Sequence, residues 1–285
     1  MKILVTGFTG QLGYDVVKEG KKRGIDMVGV GSKELNITDE KSVYLYVKEI
    51  QPDAIIHCAA YTAVDKAEDD KENCWKVNVD GTKYLAKAAE ELKAKFMFIS
   101  TDYVFDGEGE KPFKESDLPN PVGYYGLTKY EAEKVVKSHL SNWFIVRISW
   151  VFGLNGNNFV NTMLRLAETR DELNVVGDQV GSPTNTLDLS SLLLDMIRTD
   201  RFGVYHATNE GFCSWAEFAK EIFRLAGKNI KVNSITTEEY PTRAVRPKNS
   251  RLSKRKLIEN GFDLLPSWQE SLGLYIRQLL HEVKS

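Results

Sequence analysis

Tyr125 and Lys129 stand four residues apart, as Y-x-x-x-K, inside the stretch GYYGLTKYEAE at 123–133. On a helix that spacing stacks both side chains on one face. An ammonium beside a phenol favours the phenolate and lowers the tyrosine pKa from its usual ~10. A tyrosine poised in this way can pass a proton to a carbonyl oxygen. Tyr130 and Lys134 repeat the spacing, whereas Tyr124 has Thr128 at that position. Context separates the two pairs. Tyr125 follows Gly123, where a loop runs into the helix, so it can face a cleft. Tyr130 and Lys134 lie a turn further on, amid Glu131 and Glu133, which reads as a helix surface.

A second cluster opens the chain. Residues 6–13 read TGFTGQLG, with Gly7, Gly10 and Gly13 between a strand pattern and a helix pattern. The first glycine permits a tight turn, the second lets backbone approach a pyrophosphate, and the third lets the helix pack closely on the sheet. The helix N-terminus then offers free N–H groups and a positive dipole to phosphates. Thr9, Gln11 and Leu12 complete this candidate cofactor turn. A purely structural βα turn would use the same glycines, but the strand–turn–helix context favours nucleotide binding. An acidic residue at the tip of the second strand often binds the ribose 2′-OH of NAD. Here the tip holds Gly31, Ser32 and Lys33, and no carboxylate follows immediately. Ser32 and Lys33 suit the 2′-phosphate of NADPH, although Lys33 reads equally well as a solvated lysine. Both NADH and NADPH stay open.

The elements that must position these groups alternate. Strand patterns at 2–6, 26–30, 53–58, 95–100 and 143–149 interleave with helix patterns at 11–23, 39–50, 72–93 and about 124–139, with Thr38 or Asp39 as a helix cap. That alternation implies a doubly wound α/β sheet of Rossmann type, parallel and covered on both faces. After about 150 the pattern changes to short isolated strands at 173–177 and 203–207. Helices are expected at 157–169, 186–198, 214–227 and 267–283. The expected division is a dinucleotide-binding part over 1–152, with segments returning near 178–207, and a smaller, interleaved α/β substrate-binding part over 153–285. The polar stretch 238–253 reads as an ordered loop or lid.

Composition bounds the function. The 285 residues carry a formal net charge of −2, so the basic excess of a nucleic-acid binder is missing. No apolar run reaches the ~18 residues of a membrane span. Three scattered cysteines without a C-x-x-C fit a cytoplasmic protein without structural disulfides. The four histidines show no ligand spacing, so no metal is expected.

The G-x-x-G-x-x-G spacing, together with YGLTKYEAE, resembles the short-chain dehydrogenase/reductase superfamily in its extended form. Several stretches narrow the resemblance to the dTDP-4-dehydrorhamnose reductases: STDYVFDG (100–107), AAYTAVDKAE (59–68), RISWVFG (147–153), GNNFVNTMLRLA (156–167), DQVGSPT (178–184) and RPKNSRLS (246–253). The likeness runs from residue 3 to about 280. It implies an oxidoreductase that reduces the 4-keto group of dTDP-4-dehydro-L-rhamnose with NADH or NADPH. Thr101, with Ser100 as the weaker candidate, would donate to the substrate carbonyl. Tyr125 would protonate it, and Lys129 would also bond the nicotinamide ribose. Asn36 and Ile37 would line the adenine pocket. Ala59, Ala60 and Tyr61 would wall the cofactor, and Asn78 would support the site. Val64, Asp102, Tyr103, Trp150, Asn157 and Arg246 would meet the dTDP-sugar, with Trp150 as a flat apolar surface and Arg246 pairing with the diphosphate. Trp150 in the core and Arg246 paired with a carboxylate are the plainer alternatives.

One position separates the chain from the dehydratases of the superfamily, and two places depart from the reductase family itself. Asp102 is followed by Tyr103, not by the glutamate that dehydratases of the superfamily carry, which argues against elimination. His57 and Cys58 replace the family's Asn and Ala and read as strand-end packing. Arg243 stands where a small residue is common. Asp15 matches a carboxylate that binds magnesium at a dimer contact in some relatives, but no full ligand set accompanies it. A homodimer stays open. Two rival readings remain: a reductase or epimerase of another NDP-keto-sugar, and a non-catalytic regulatory subunit of the methionine adenosyltransferase type, against which the intact Thr101–Tyr125–Lys129 set argues.

Overall fold

The computed structural model of the protein describes residues 1–282. Its centre is a six-stranded sheet, parallel throughout. β1 (Lys2–Thr6), β2 (Asp26–Val30), β3 (Ala54–His57), β4 (Lys95–Thr101) and β5 (Trp143–Ile148) are joined by the strand Gly203–His206. The spatial order is β2, β1, β3, β4, β5 and then Gly203–His206. The connection from β2 through α2 (Glu40–Ile50) passes over β1 to reach β3, so the topology reverses between β1 and β3. Ligands of doubly wound sheets bind at such a switch point, beyond the carboxyl ends of the strands.

Alternation along the strands builds two cores. Ile3, Val5, Ala54, Ile56, Met97, Ile99, Phe144 and Val146 face one side, where the helix Thr186–Ile197 packs with α1 (Gln11–Lys22). Leu4, Ile55, Phe96, Phe98 and Ile145 face the other, under α2 and the helices Gly81–Leu92 and Tyr124–His139. The sheet is therefore covered on both faces, and its strands are apolar nearly throughout.

Several expectations shift in detail. The strand Gly203–His206 is not isolated: it pairs with β5 at the edge of the central sheet. The strand Glu172–Val176 is not isolated either, since Lys231–Ile235 pairs with it in parallel register. The long helix expected at 72–93 is three pieces, because the turn Lys76–Asp80 is a π-helix between Lys71–Trp75 and Gly81–Leu92. A third core around Phe152, Phe218, Trp268 and Tyr275 serves the C-terminal part. The polar stretch 238–253 ends in the short strand Asn249–Ser250, which pairs with Val180–Gly181.

Candidate active site

The carboxyl ends of β1, β3 and β4 bring the candidate groups to one edge. Gly7 takes φ +71°, and a Cβ there would stand 2.7 Å from the Ala59 nitrogen. A Cβ on Gly13 would reach 2.3 Å from the Gly7 carbonyl, so helix and turn touch through glycine alone. Gly10 caps α1 without a side-chain hydrogen bond, and the first turn holds no acidic residue. Its N–H groups and positive end are therefore left for an anion. This cradle fits the pyrophosphate of a dinucleotide. Thr9 and Ser32 are exposed beside it, and Leu12 anchors the helix in the core. Gln11 Oε1 accepts from the Gly153 N–H at 2.9 Å and from Asn158 Nδ2 at 3.0 Å, tying the turn to the C-terminal part.

At the tip of β2 the expectation of no carboxylate needs correction. Glu34 folds back, and its Oε2 accepts from the Gly31 N–H at 2.9 Å. Lys33 is exposed. Asn36 Oδ1 caps the Thr38 N–H at 3.1 Å, and Ile37 is buried beneath Gly81.

The wall after β3 is held by a directed chain of hydrogen bonds. The Ala59 N–H donates to Thr6 Oγ1 at 3.2 Å, and Thr6 lies 2.7 Å from His57 Nδ1. His57 Nε2 lies 3.0 Å from Thr82 Oγ1, which donates to the Asn78 carbonyl at 2.7 Å. Burial, helped by the Lys129 charge, pushes the His57 pKa down to about 3. The imidazole is neutral, so one ring nitrogen accepts and the other donates. His57 is thus packed at the strand end as expected, and it also bonds there. Cys58 beside it is pushed up to about 12 by burial and is an inert thiol.

Asn78 lies in the π-turn, 1% exposed. Its Oδ1 accepts from the Tyr61 N–H at 2.8 Å, and its Nδ2 donates to Thr128 Oγ1 at 2.9 Å. It thereby fastens the Ala59–Tyr61 wall to the helix Tyr124–His139 and does not itself face the cleft.

That helix approaches the turn Asp102–Val104 so closely that a Cβ on Gly126 would stand 2.1 Å from the Tyr103 carbonyl. Tyr125 meets Tyr103 edge to face, with ring centroids 5.7 Å apart. Thr101 is buried at the end of β4; its Oγ1 donates to Asp102 Oδ1 at 3.0 Å and accepts from the Tyr103 N–H at 3.2 Å. Ser100, the weaker candidate, is turned away, donating to Glu133 at 2.7 Å. Tyr130 is a different case: its ring takes the Lys134 ammonium at 4.8 Å, and Lys134 pairs with Glu131 at 2.5 Å.

The electrostatics correct one expectation. Lys129 does not lower Tyr125 in the protein alone. Burial and then the Asp102 charge push the phenol up, and the hydrogen-bonded Thr101 hydroxyl pulls the other way. Lys129 instead donates to the Ile99 carbonyl at 2.6 Å, with its ammonium 4.1 Å from the Phe98 ring centroid. Burial lowers its pKa to about 7, against the favourable charge of Glu133. Glu133 is not on the helix surface: it is fully buried and paired with Arg147.

On the substrate side, Val64 opens the short helix Val64–Ala67, and Trp150 is half-buried with φ +47°. Its ring stacks on Trp215 at 3.6 Å and 13°. Trp215 escaped the sequence reading; its signal is the Ser214–Glu217 capping box that starts its helix. Asn157 is exposed, whereas Asn158 is buried and bonds Tyr275 at 3.0 Å. Arg246 is held by the Asp65 carboxylate at 2.5 Å and by the Tyr103 hydroxyl at 3.1 Å. Arg243 pairs with Asp69 at 2.6 Å on the surface. Asp15 is buried, accepting from Thr186 Oγ1 at 2.5 Å, and burial raises its pKa. Among the described residues, no group of three or more His, Cys, Asp or Glu is placed to hold a metal ion. Nor, among them, is any helix long and apolar enough to cross a membrane.

The chain is similar along its length to known proteins. The chain is 40% identical over 278 residues to the spore coat polysaccharide biosynthesis protein SpsK of Bacillus subtilis (strain 168), with 97% of each chain covered. It is 40% identical to the dTDP-4-dehydrorhamnose reductase of Sinorhizobium fredii, covering 100% of this chain and 99% of that one. A dTDP-4-dehydrorhamnose reductase structure from Clostridium acetobutylicum matches with a TM-score of 0.96 at 45% identity, covering 98% of this chain and 100% of that one. The Bacillus anthracis dTDP-4-dehydrorhamnose reductase, in complex with NADP, matches at 0.95 and 42%, with the same coverage. The fold extends to the UDP-glucose 4-epimerase of Thermus thermophilus, at a TM-score of 0.85 and 20% identity. Residues 1–281 match the family described as RmlD substrate binding domain, and the chain belongs to that family.

Proposed function

We propose that the protein is a reductase that converts dTDP-4-dehydro-L-rhamnose to dTDP-L-rhamnose with NADH or NADPH. The observation that carries this reading is the meeting of Thr101, Tyr125 and buried Lys129 beside the glycine turn at the topological switch point. The reductases that the chain resembles over its full length support the same reaction.

In this reading residues 1–152, with the returning segments near 178–207, hold the cofactor, and the rest of the chain takes the sugar nucleotide. Gly7, Thr9, Gly10, Gln11, Leu12 and Gly13 cradle the pyrophosphate. Ser32, Asn36 and Ile37 meet the adenosine. Ala59, Ala60 and Tyr61 form the wall, which Asn78 supports from behind. When bound, the nicotinamide supplies the hydride that goes to C4 of the sugar.

The chain supplies the proton and the geometry. Burial keeps Tyr125 protonated near neutral pH, so it has a proton to give to O4 as negative charge gathers there. Thr101 orients that oxygen with a hydrogen bond. Lys129 bonds the nicotinamide ribose, and as a charge it favours the tyrosinate left behind. Val64 and Trp150 bound the sugar, while Asp102, Tyr103 and Asn157 meet its polar groups. Arg246 exchanges Asp65 for the diphosphate, one anion for another. Tyr103 stands where an eliminating enzyme of this fold carries a glutamate, so the site has no second carboxylate to drive loss of water.

The test is oxidation of NADH and NADPH by the purified protein with dTDP-4-dehydro-L-rhamnose, with the product's C4 configuration read by NMR. Turnover that yields dTDP-L-rhamnose supports the reading. Cofactor binding without turnover would move it to another keto-sugar or to a regulatory role.

A further inference from the structure

Thr101 Oγ1 has a single proton, and the oxygens of Asp102, of Tyr125 and of the substrate compete for it. In the protein alone the proton goes to Asp102 Oδ1, at 3.0 Å, while the Tyr103 N–H occupies one lone pair of Oγ1. Under the proposed reduction, on which this inference rests, the same proton is needed at the O4 atom of the substrate. A carboxylate at Asp102 would keep it away.

Asp102 is an awkward place for a charge. It is 4% exposed, and its Oδ2 makes no well-formed hydrogen bond, with the Ser250 hydroxyl as the nearby group that could supply one. A buried carboxylate oxygen left without a donor is costly, and neutralisation relieves that cost. The charged form would also work against catalysis, since it raises the neighbouring Tyr125 phenol and would oppose charge gathering on O4.

We propose that Asp102 works as a neutral carboxylic acid that donates its own proton to Thr101 Oγ1 and so turns the Thr101 hydroxyl on to the substrate oxygen. No covalent bond is made or broken in this step; the Thr101–Asp102 hydrogen bond reverses direction and the Thr101 hydroxyl gains a new one to O4. In this step Asp102 acts through Thr101, as a positioning residue, apart from its contact with the sugar. Enzymes keep carboxylic acids neutral in apolar sites for the same purpose.

The surroundings permit it. Burial raises the Asp102 pKa to about 6, while the hydroxyls of Ser250 and Thr101 and the N–H groups of Asp102 and Tyr103 pull it down. The groups facing it are Thr101 on β4, Tyr103 on the turn, Tyr125 on the helix Tyr124–His139 and Ser250 on the strand Asn249–Ser250. Lys129, on that same helix, directs its ammonium to Ile99. Arg246 lies beyond Tyr103, held by its hydroxyl and by Asp65.

Asp102→Asn tests the idea because an amide N–H can donate to Thr101 as the acid does, but it cannot ionise. Wild-type kcat should fall as pH rises through the Asp102 ionisation, and the variant should lose that limb and keep only the one set by Lys129. A loss of about a hundredfold with the pH limb unchanged would overturn the proposal. Infrared difference spectra supply a readout that needs no turnover and, as a titration of the wild type, no variant. With oxidised cofactor and dTDP bound, a protonated-carboxyl band should titrate between about pH 5 and 8 and be missing from Asp102→Asn. A wild-type spectrum without that band across the range would overturn the proposal, even if the variant does not fold. A wild type that shows the band but reduces no keto-sugar would overturn the reductase reading instead.

Discussion

Glu133 takes both the Nε and an Nη of Arg147, at 2.8 and 2.7 Å, one helical turn beyond Lys129 and fully buried. Ser100 adds a third hydrogen bond to the same carboxylate at 2.7 Å. The pair clamps the helix Tyr124–His139 to β4 and β5, and so fixes Lys129 and Tyr125 against Thr101. Breaking one side of a buried pair strands the other charge. Glu133→Gln is therefore expected to destabilise the fold by about 3–5 kcal/mol. Replacing both partners with apolar residues of similar volume should recover much of that loss. Thermal unfolding of the single and double variants checks both statements.

Lys129 is buried as a cation at a cost to stability. Its folded pKa is lowered to about 7 from 10.5, so the unfolded chain binds more protons between those values. Stability from this group therefore rises with pH over that window, and its penalty is fullest below about pH 7. Lys129→Met should abolish turnover and raise the melting temperature of the cofactor-free protein at pH 6. That gain should shrink as pH approaches 10. Calorimetry across this range checks the sign.

Glu34 and Lys33 pull cofactor choice in opposite directions. The Glu34 carboxylate sits at the Gly31 N–H, where it can accept from a ribose 2′-OH and repel a 2′-phosphate. Glu34→Gln should shift the kcat/KM ratio towards NADPH by about fivefold, the effect of roughly 1 kcal/mol. Lys33→Ala should shift it the other way. Steady-state rates with each cofactor check the pair.

Trp215 backs Trp150, whose backbone lies in the left-handed region. An aromatic pair of this kind contributes about 0.5–1.5 kcal/mol beyond its buried area. Trp215→Ala should raise KM for the sugar nucleotide several-fold and leave kcat nearly unchanged. A fall in kcat alone would show that Trp150 is not placed by its partner.

Legibility in the sequence followed the range of the interactions. The glycine turn and the strands β1 to β5 are local patterns, and they lie where spacing and alternation put them. Helix Tyr124–His139 was equally readable from the loop that enters it. What escaped depends on partners distant in the chain. Glu133 looks like a surface acid until Arg147 is brought beside it from β5. Lys231–Ile235 is polar and reads as a strand only once Glu172–Val176 offers a ladder. Glu34 lies four residues past β2, and only the fold of its turn returns it to the tip. The direction of the Lys129 ammonium could not be read from a four-residue spacing, because the Ile99 carbonyl that takes it belongs to a different element, β4.

The central claim is that Tyr125, and not Tyr130, gives the proton. The most direct measurement is kcat for NADPH oxidation with dTDP-4-dehydro-L-rhamnose in wild type, Tyr125→Phe and Tyr130→Phe, alongside cofactor affinity by fluorescence. The account predicts that Tyr125→Phe binds cofactor normally and loses about 10²–10⁴ in kcat, while Tyr130→Phe keeps wild-type turnover. A Tyr125→Phe variant that turns over within a few-fold of wild type would contradict it.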